Sequence, residues 1–260
     1  MGPAPAAVAV PPADGSHSVA YGHVSIRDEL DMITIHHLEN SRSQRVLWLL
    51  EELALDYRVE RYARDPNAGL APEALKAIHP LGKSPILTDD ARTIAETGLI
   101  LDYIVRRHGQ GRLAPRPGTE DYLRYQYWLH YAEGSLMPPL LLQLVFDKVE
   151  SKSPKLARPI AKRIAGQVKQ QFIEPQQRLH FDYLENELRS QPWFVGETLT
   201  AADIMLSFPI EAKLSSGPSH ERYPKLDAFL TTIHARPAYQ RALERGGPYI
   251  YAAQAESTYS

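Results

Sequence analysis

Cysteine is absent from all 260 residues, and neither sign of charge dominates, with 29 basic side chains against 31 acidic ones. Without cysteine the chain has no disulfide, no cysteine-based metal site and no protein thiol as a nucleophile. Any thiol chemistry must therefore use a thiol that the substrate carries. The formal net charge of -2 gives no basic footprint for nucleic acid, and we expect no such partner.

Long apolar runs are also missing. The longest, LMPPLLLQLVF at residues 136–146, is broken by prolines and a glutamine and is far shorter than the roughly 20 residues that span a bilayer, so no membrane partner is expected. Residues 1–30 lack the charged and apolar regions of a secretory signal, and we interpret them as a disordered tail. We expect a cytoplasmic protein, and its 43% hydrophobic content is enough for a substantial core.

Hydrophobic periodicity predicts an α/β half followed by an all-helical half. The first half gives, in order, a strand at 32–38, a helix from Val46, a strand at about 57–62, a helix at about 72–78, a hairpin through Asp89 and Asp90, and a helix at 97–108. This order, βαβ, α, ββα, is that of a thioredoxin-like domain.

Helical periodicity continues beyond residue 120, with long runs at 121–150 and 155–190 and a shorter one after Thr200. Pro138 and Pro139 should end or kink the first long helix, because proline lacks the N–H group and clashes with the preceding turn. We predict a disordered tail at 1–30, the α/β domain at 31–112, a Pro/Gly-rich linker at 113–120, an all-helical domain at 121–250 and a C-terminal tail at 251–260.

Five short motifs occur in a fixed order: SRSQRVLWLLEEL at 41–53, HPLGKSP at 79–85, AETG at 95–98, EGSLMPPLLL at 133–142 and TAADI at 200–204. Each is weak alone, but together they make the chain resemble a glutathione S-transferase of the serine-type, theta-like kind found in bacteria and fungi. The resemblance covers Met32 to about Pro248. It implies a thioredoxin-like domain that binds glutathione, a helical bundle domain and a homodimer.

The function that the resemblance implies is conjugation of the glutathione thiolate to a small hydrophobic electrophile, as in detoxification, with glutathione as co-substrate and no metal. Two alternatives stay open. The same site would suit a glutathione-dependent peroxidase or disulfide reductase, and the fold would also suit a ligand-binding protein without catalysis.

Ser41 lies between the first strand and the first helix, where its hydroxyl would stabilise a thiolate. A thiol has an ordinary pKa of about 8.5, and a hydrogen bond to a charged group, worth roughly 1.5–3 kcal/mol, would lower it by about one to two units. The resemblance assigns this catalytic role to Ser41, four residues before Arg45, as a donor and not a base. Ser43 is the alternative donor. Ser41 would also serve as a helix N-cap, in a capping box with Gln44.

The resemblance further implies the glutathione-binding residues, which are Ser43, Lys83, Ser84, Pro85, Glu96 and Thr97. The backbone of Ser84, before a cis-proline at Pro85, would pair with the cysteinyl part of glutathione. Glu96 and Thr97 would hold the γ-glutamyl group, and Lys83 would suit the glycyl carboxylate. Outside this context, Glu96 would only complement a helix dipole and Lys83 would be a solvated surface charge.

Thr200 and Asp203 form a second capping signature, with Leu199 and Ile204 as a hydrophobic staple, and we interpret this one as structural. His36 and His37 point to opposite faces of one strand, so they cannot share a metal, and no metal site is expected.

An aromatic run in the helical half either lines a pocket for the electrophile or belongs to the core or a dimer contact. The core or contact role is the more common one at this spacing. The run consists of Tyr122, Tyr125, Tyr127, Trp128 and Tyr131.

Overall fold

The structure is a computed structural model that describes residues 32–65, 69–215 and 219–252. The predicted tail at 1–30 and, apart from Tyr251 and Ala252, the predicted tail at 251–260 lie outside these residues.

Four strands form one mixed sheet in the described part of the chain. They are β1 (Ile33–Leu38), β2 (Tyr57–Tyr62), β3 (Ile86–Asp89) and β4 (Arg92–Ala95). The sheet order is β2-β1-β3-β4, with β1 parallel to β2 and antiparallel to β3, and β3 antiparallel to β4. The predicted hairpin is present, with Asp90 at its turn in the left-handed region at φ 52. The thioredoxin-like class is therefore confirmed.

Helices α1 (Gln44–Glu52), α2 (Ala74–Ile78) and α3 (Thr97–His108) accompany the sheet. Helix α1 is buried over nearly its whole circumference, which fits its almost uninterrupted apolar sequence. It packs against α3 and also against two helices of the helical second half of the chain. Because of this position, a residue at the start of α1 can touch both halves of the molecule.

The second half is helical. Its helices are α4 (Glu120–Tyr131), α5 (Met137–Lys152), α6 (Arg158–Val168), α7 (Glu174–Glu187), α8 (Ala201–Leu214), α9 (Ser219–Arg222), α10 (Pro224–His234) and α11 (Pro237–Gly246). Helices α8 and α11 are the two that contact α1. Residues 109–119, between the halves, have no regular secondary structure.

Two π-helical turns join the long helices: Ala132–Leu136 connects α4 to α5, and Lys169–Ile173 connects α6 to α7. Pro138 and Pro139 occupy the first turn of α5, where a missing N–H group costs little. The prolines were expected to end or kink the helix. The regular α-helical pattern is interrupted just before them, but the chain continues as a helix to Lys152.

Candidate functional site

The turn between β1 and α1 holds Ser41 and Ser43. The helix begins at Gln44, with Ser43 as the N-cap residue in helical conformation and without a side-chain cap hydrogen bond. Ser41 Oγ accepts the N–H of Ser43 at 3.3 Å, not that of Gln44. The predicted capping box of Ser41 and Gln44 is therefore wrong, because the tight turn presents the Ser41 hydroxyl to its near neighbour instead of to the helix.

The hydroxyls of the two serines are in contact with each other. Ser41 Oγ lies 2.8 Å from Ser43 Oγ, which in turn lies 2.9 Å from Nδ1 of His37 and 3.3 Å from the carbonyl oxygen of Leu38. Ser43 is fully buried, whereas Ser41 keeps 7% of its surface exposed. The hydroxyl of Ser43 is thus engaged with protein groups, and that of Ser41 is the more accessible of the two.

A cavity of about 250 Å³ opens beside this turn. Five of the six residues predicted to bind glutathione line it, and they are Lys83, Ser84, Pro85, Glu96 and Thr97. Arg42, His79 and Glu133 also contribute to its wall. Ser41 and Ser43 are not lining residues, but Arg42, which stands between them in the chain, is.

Ser84 connects the head of β3 to the end of β1. Its hydroxyl donates to the carbonyl of His36 at 3.1 Å and accepts the N–H of Leu38 at 3.2 Å. The peptide bond from Ser84 to Pro85 is cis. These contacts fix one wall of the cavity close to the turn that carries Ser41.

Glu96 and Thr97 stand where β4 passes into α3. Glu96 has φ 69 and ψ 119, a left-handed backbone that is costly for a residue with a side chain and that often marks a functional site. Its side chain makes no cap hydrogen bond to the helix. The first turn of α3 therefore offers N–H groups and a favourable dipole to an anion, beside a carboxylate that suits a cation.

An ion cluster that sequence reasoning missed closes the cavity on the helical side. Glu133, in the π-helical turn after α4, accepts two hydrogen bonds from Nε of Arg42 at 2.9 and 3.0 Å and one from Arg45 Nη2 at 2.6 Å. Burial alone would raise the pKa of Glu133, but the charges of Arg45 and Arg42 outweigh it and hold the pKa below its ordinary value.

Arg45 is almost completely buried and joins the two halves. It donates to the carbonyl of Met205 at 2.6 Å and reaches the hydroxyl of Thr97 at 3.4 Å. Its partner Glu133 is 88 residues away in sequence. The acidic residue was visible in the EGSL motif, but no local pattern predicts a partner at that separation.

Three members of the aromatic run, Tyr125, Trp128 and Tyr131, are buried in the core, whereas Tyr127 is 46% exposed. Tyr125 and Trp128 are fully buried, and Trp128 donates from Nε1 to the carbonyl of Phe194 at 3.0 Å. No Phe, Tyr or Trp side chain is among the described residues that line the cavity beside Ser41. The structure thus favours the core role for these two residues over a pocket lining.

Within residues 32–65, 69–215 and 219–252, no cluster of three or more His, Asp or Glu side chains could hold a metal ion. Over that same part of the chain, no helix combines the length and the apolar character that crossing a bilayer requires.

Comparison with known proteins gives consistent matches. Residues 41–107 match the family described as glutathione S-transferase, N-terminal domain, and residues 159–237 match glutathione S-transferase, C-terminal domain. The chain is 36% identical over 214 residues to glutathione S-transferase 3 of Schizosaccharomyces pombe, covering 82% of this chain and 88% of the relative.

Two further matches bear on the fold and on the chemistry. A crystal structure of a glutathione S-transferase from Actinobacillus pleuropneumoniae is 33% identical with a TM-score of 0.72, covering 86% of this chain and 96% of that one. The disulfide-bond oxidoreductase YfcG of Escherichia coli is 25% identical over 219 residues, covering 82% of this chain and 94% of the relative.

Proposed function

The chain belongs to the glutathione S-transferase family, and we propose that it is a glutathione transferase that joins the glutathione sulfur to small hydrophobic electrophiles. The observation that carries this proposal is the single cavity lined by Lys83, Ser84, Pro85, Glu96 and Thr97, next to the turn that bears Ser41. These residues come from separate motifs, and a peptide with charged ends would need them together.

In this proposal the γ-glutamyl end of glutathione binds at the start of α3. The Glu96 carboxylate pairs with its ammonium group, and the hydroxyl of Thr97 and the free N–H groups of the first turn receive its carboxylate. The backbone of Ser84 pairs with the cysteinyl part, and the Lys83 ammonium pairs with the glycyl carboxylate. The sulfur then lies toward Ser41.

Ser41 donates its hydroxyl proton to the bound thiolate in a hydrogen bond and is not itself deprotonated. The thiolate sulfur attacks the electrophile, the new carbon–sulfur bond forms, and the leaving group departs or the acceptor takes up a proton. Stabilising the thiolate raises the fraction of reactive sulfur near neutral pH, which is the purpose of the donor.

The electrophile would bind against a small apolar cluster beside the same turn. Met137, Phe208 and Tyr249 form this cluster, and Tyr251 packs against it. The C-terminal segment that carries the two tyrosines is held near Ser41, since the N–H of Ile250 donates to the Asn40 side chain at 2.9 Å. An aromatic acceptor would therefore find apolar contacts close to the sulfur.

A second candidate function is glutathione-dependent disulfide reduction on the same site. The similarity to a disulfide-bond oxidoreductase favours it, and the same thiolate would attack a disulfide sulfur instead of an electrophilic carbon. Ser41 serves both reactions equally, so only a comparison of substrates separates them.

We further propose that the protein acts as a homodimer in the cytoplasm, where glutathione is kept reduced. Helices α5 to α7 expose a set of large apolar side chains that a second copy of the chain would cover. The set includes Leu141, Leu144, Val145, Ile160, Ile164 and Leu179. Light scattering on the purified protein measures the mass and tests the dimer.

The function is tested by assaying the purified protein with glutathione and a chloronitrobenzene, a hydroperoxide or a mixed disulfide. We expect conjugation, and we expect Ser41→Ala to raise the pKa of bound glutathione and to lower kcat by about tenfold or more, while binding survives. Glu96→Ala should instead weaken glutathione binding. Binding without turnover of any of the three substrates would favour the ligand-binding alternative.

A further inference from the structure

The ion cluster of Arg42, Arg45 and Glu133 contains one more positive charge than negative charge. Glu133 pairs with Nη2 of Arg45 at 2.6 Å and with Nε of Arg42 at 2.9 Å. Burial opposes the ionisation of Glu133, but the two arginine charges outweigh it and hold the pKa of Glu133 below its ordinary value, so it is a carboxylate near neutral pH. Both arginines are charged at every accessible pH. One positive charge therefore remains for a partner outside the cluster.

Of the two arginines, Arg42 is the one that a ligand can reach. The side chain of Arg45 is 1% exposed, and it also donates to the carbonyl of Met205 and to the hydroxyl of Thr97. The side chain of Arg42 is 35% exposed and donates to Glu133 only from Nε. Neither Nη atom of Arg42 has a hydrogen-bond acceptor among the described residues. Four N–H groups of its guanidinium are therefore available to an anion.

Arg42 contacts both the proposed glutathione cavity and the proposed site of the electrophile. It is one of the residues that line the cavity. Its guanidinium carbon also lies 5.5 Å from the centroid of the Phe208 ring, which forms the apolar cluster with Met137 and Tyr249. In the chain it directly follows Ser41. An anionic group beside its Nη atoms would thus be close to the apolar contacts and to the sulfur.

The proposed binding of glutathione does not use the charge of Arg42. Glu96 pairs with the ammonium group, and Lys83 pairs with the glycyl carboxylate. The γ-glutamyl carboxylate binds at Thr97 and the first turn of α3, and the thiolate accepts from Ser41. Because each charged group of glutathione has a partner in this arrangement, the electrophile is the ligand that can supply an anion to the guanidinium.

We propose that Arg42 is a specificity-determining residue that selects electrophiles with a carboxylate attached to the apolar group that holds the reactive carbon. Aryl halides with a carboxylate and unsaturated carboxylic acids are of this class. This inference rests on the proposed function. Nη1 and Nη2 present parallel N–H groups, the geometry that a carboxylate accepts with both oxygens. The carboxylate is unchanged in the reaction: the sulfur forms the bond to carbon, and the leaving group departs or the acceptor takes up a proton.

The test compares two acceptors that share the reactive carbon but differ in charge, 4-chloro-3-nitrobenzoate and its methyl ester. Conjugation with glutathione releases chloride from both. In Arg42→Met, the kcat/KM for the carboxylate divided by that for the ester should fall about tenfold or more, the size of a hydrogen bond to a charged group. Taking the ratio removes the difference in intrinsic reactivity. Because the contact exists before the reaction, the loss should be mainly in the KM of the acceptor.

Arg124→Met is the matched control. Arg124 is 37% exposed, pairs with Glu187 and has its guanidinium carbon 5.8 Å from the Trp128 ring centroid, but it is not among the described residues that line the cavity. Its replacement should leave the ratio unchanged. Arg42→Lys keeps the charge without the planar fork and should retain part of the preference. Thermal unfolding reports whether each variant folds, and Arg42→Gln makes the same comparison if Arg42→Met does not.

An unchanged ratio in Arg42→Met or Arg42→Gln would overturn the proposal. If the pKa of bound glutathione then rises and both acceptors lose equally, Arg42 acts on the sulfur. If the KM for glutathione rises instead, Arg42 binds a carboxylate of glutathione. The proposed function fails in a different way, namely if the unaltered protein conjugates neither acceptor. Conjugation of the ester alone would keep the function and reject the preference for a carboxylate.

Discussion

The starts of α1 and α8 have the same kind of capping signature, Ser41 with Gln44 and Thr200 with Asp203, but only one of them forms a cap. At α8, the Asp203 carboxylate accepts the N–H of Thr200 at 2.8 Å and, from the preceding loop, the N–H of Phe194 at 2.7 Å. At α1, Ser41 is bonded to Ser43, and Gln44 Nε2 has no acceptor within hydrogen-bond distance among the described residues.

The difference separates a helix start that stabilises the fold from one that serves a site. At α8, the Asp203 carboxylate accepts two backbone N–H groups and the Thr200 hydroxyl, the last at 2.8 Å, which makes the start rigid. At α1, the hydroxyl of Ser41, which would accept a helix N–H group in a cap, lies near the cavity instead. A capping signature that does not form a cap therefore indicates a functional site. The left-handed backbone of Glu96 is an indication of the same kind.

The largest effect is expected at the structural start. Asp203→Ala should lower the free energy of unfolding by about 3 kcal/mol or more, because it leaves two buried N–H groups without an acceptor. Urea unfolding measures this, and the pKa of bound glutathione should not change. Asp121→Ala in the first turn of α4 is the control, since an acidic residue there contributes only a dipole term, below about 1 kcal/mol.

An unchanged urea midpoint in Asp203→Ala, or a loss no larger than that of Asp121→Ala, would contradict the contrast between the two helix starts. A loss of glutathione binding in a stably folded Asp203→Ala protein would equally contradict it.

A smaller effect is expected from pH at the same residue. Burial raises the pKa of Asp203 to about 6, against the opposing hydrogen bonds from Phe194 and Thr200. The unfolded chain has an ordinary pKa of about 3.9 and releases the proton first, so stability should fall as pH rises from about 4 to about 6, by at most on the order of 3 kcal/mol, and level off above.

Asp203→Asn should lack this component of the pH dependence, since the amide does not titrate and still accepts from one N–H group. Unfolding midpoints of both proteins between pH 4 and pH 7 measure the difference. Parallel curves would contradict the raised pKa of Asp203. The carboxylate at the start of α8 would then be better solvated than its buried position indicates.

Local patterns were sufficient for much of the fold. Alternation in residues 32–38 and the turn at Asp90 predicted β1 and the hairpin, and the signature at Thr200 and Asp203 predicted the start of α8. Lys83 and Glu96 were predicted to act together, and they meet in one cavity because β3 and β4, which separate them in the chain, form a short hairpin.

Other features depend on contacts between residues that are far apart in the sequence, which no local pattern predicts. The pairing of Arg45 with Glu133 joins two halves of the chain, and the hydrogen bond from Arg61 Nε to the carbonyl of Arg245 at 3.1 Å joins β2 to α11. The failed cap at Ser41 has the same origin, because the choice between Gln44 and Ser43 as its partner follows from the tight turn and from the packing around His37. Sequence supplies the chemical groups, and tertiary packing decides which of them are left available.

The smallest expected change in the free energy of unfolding is at Gln44, the second residue of the α1 signature that forms no cap. Gln44 is buried with an amide nitrogen that lacks an acceptor among the described residues, so Gln44→Met, which keeps the length of the side chain, should raise the free energy of unfolding by about 1 kcal/mol.

The matched control is Gln177→Met. Gln177 is equally buried, but it donates to the carbonyl of Pro139 at 3.1 Å and accepts from Lys213 at 2.9 Å, so its replacement should cost about 1–3 kcal/mol. Urea unfolding of both variants compares an unpaired buried amide with a paired one. Equal destabilisation by the two substitutions would mean that the Gln44 amide nitrogen has a hydrogen-bond partner in the folded protein, which would contradict the prediction.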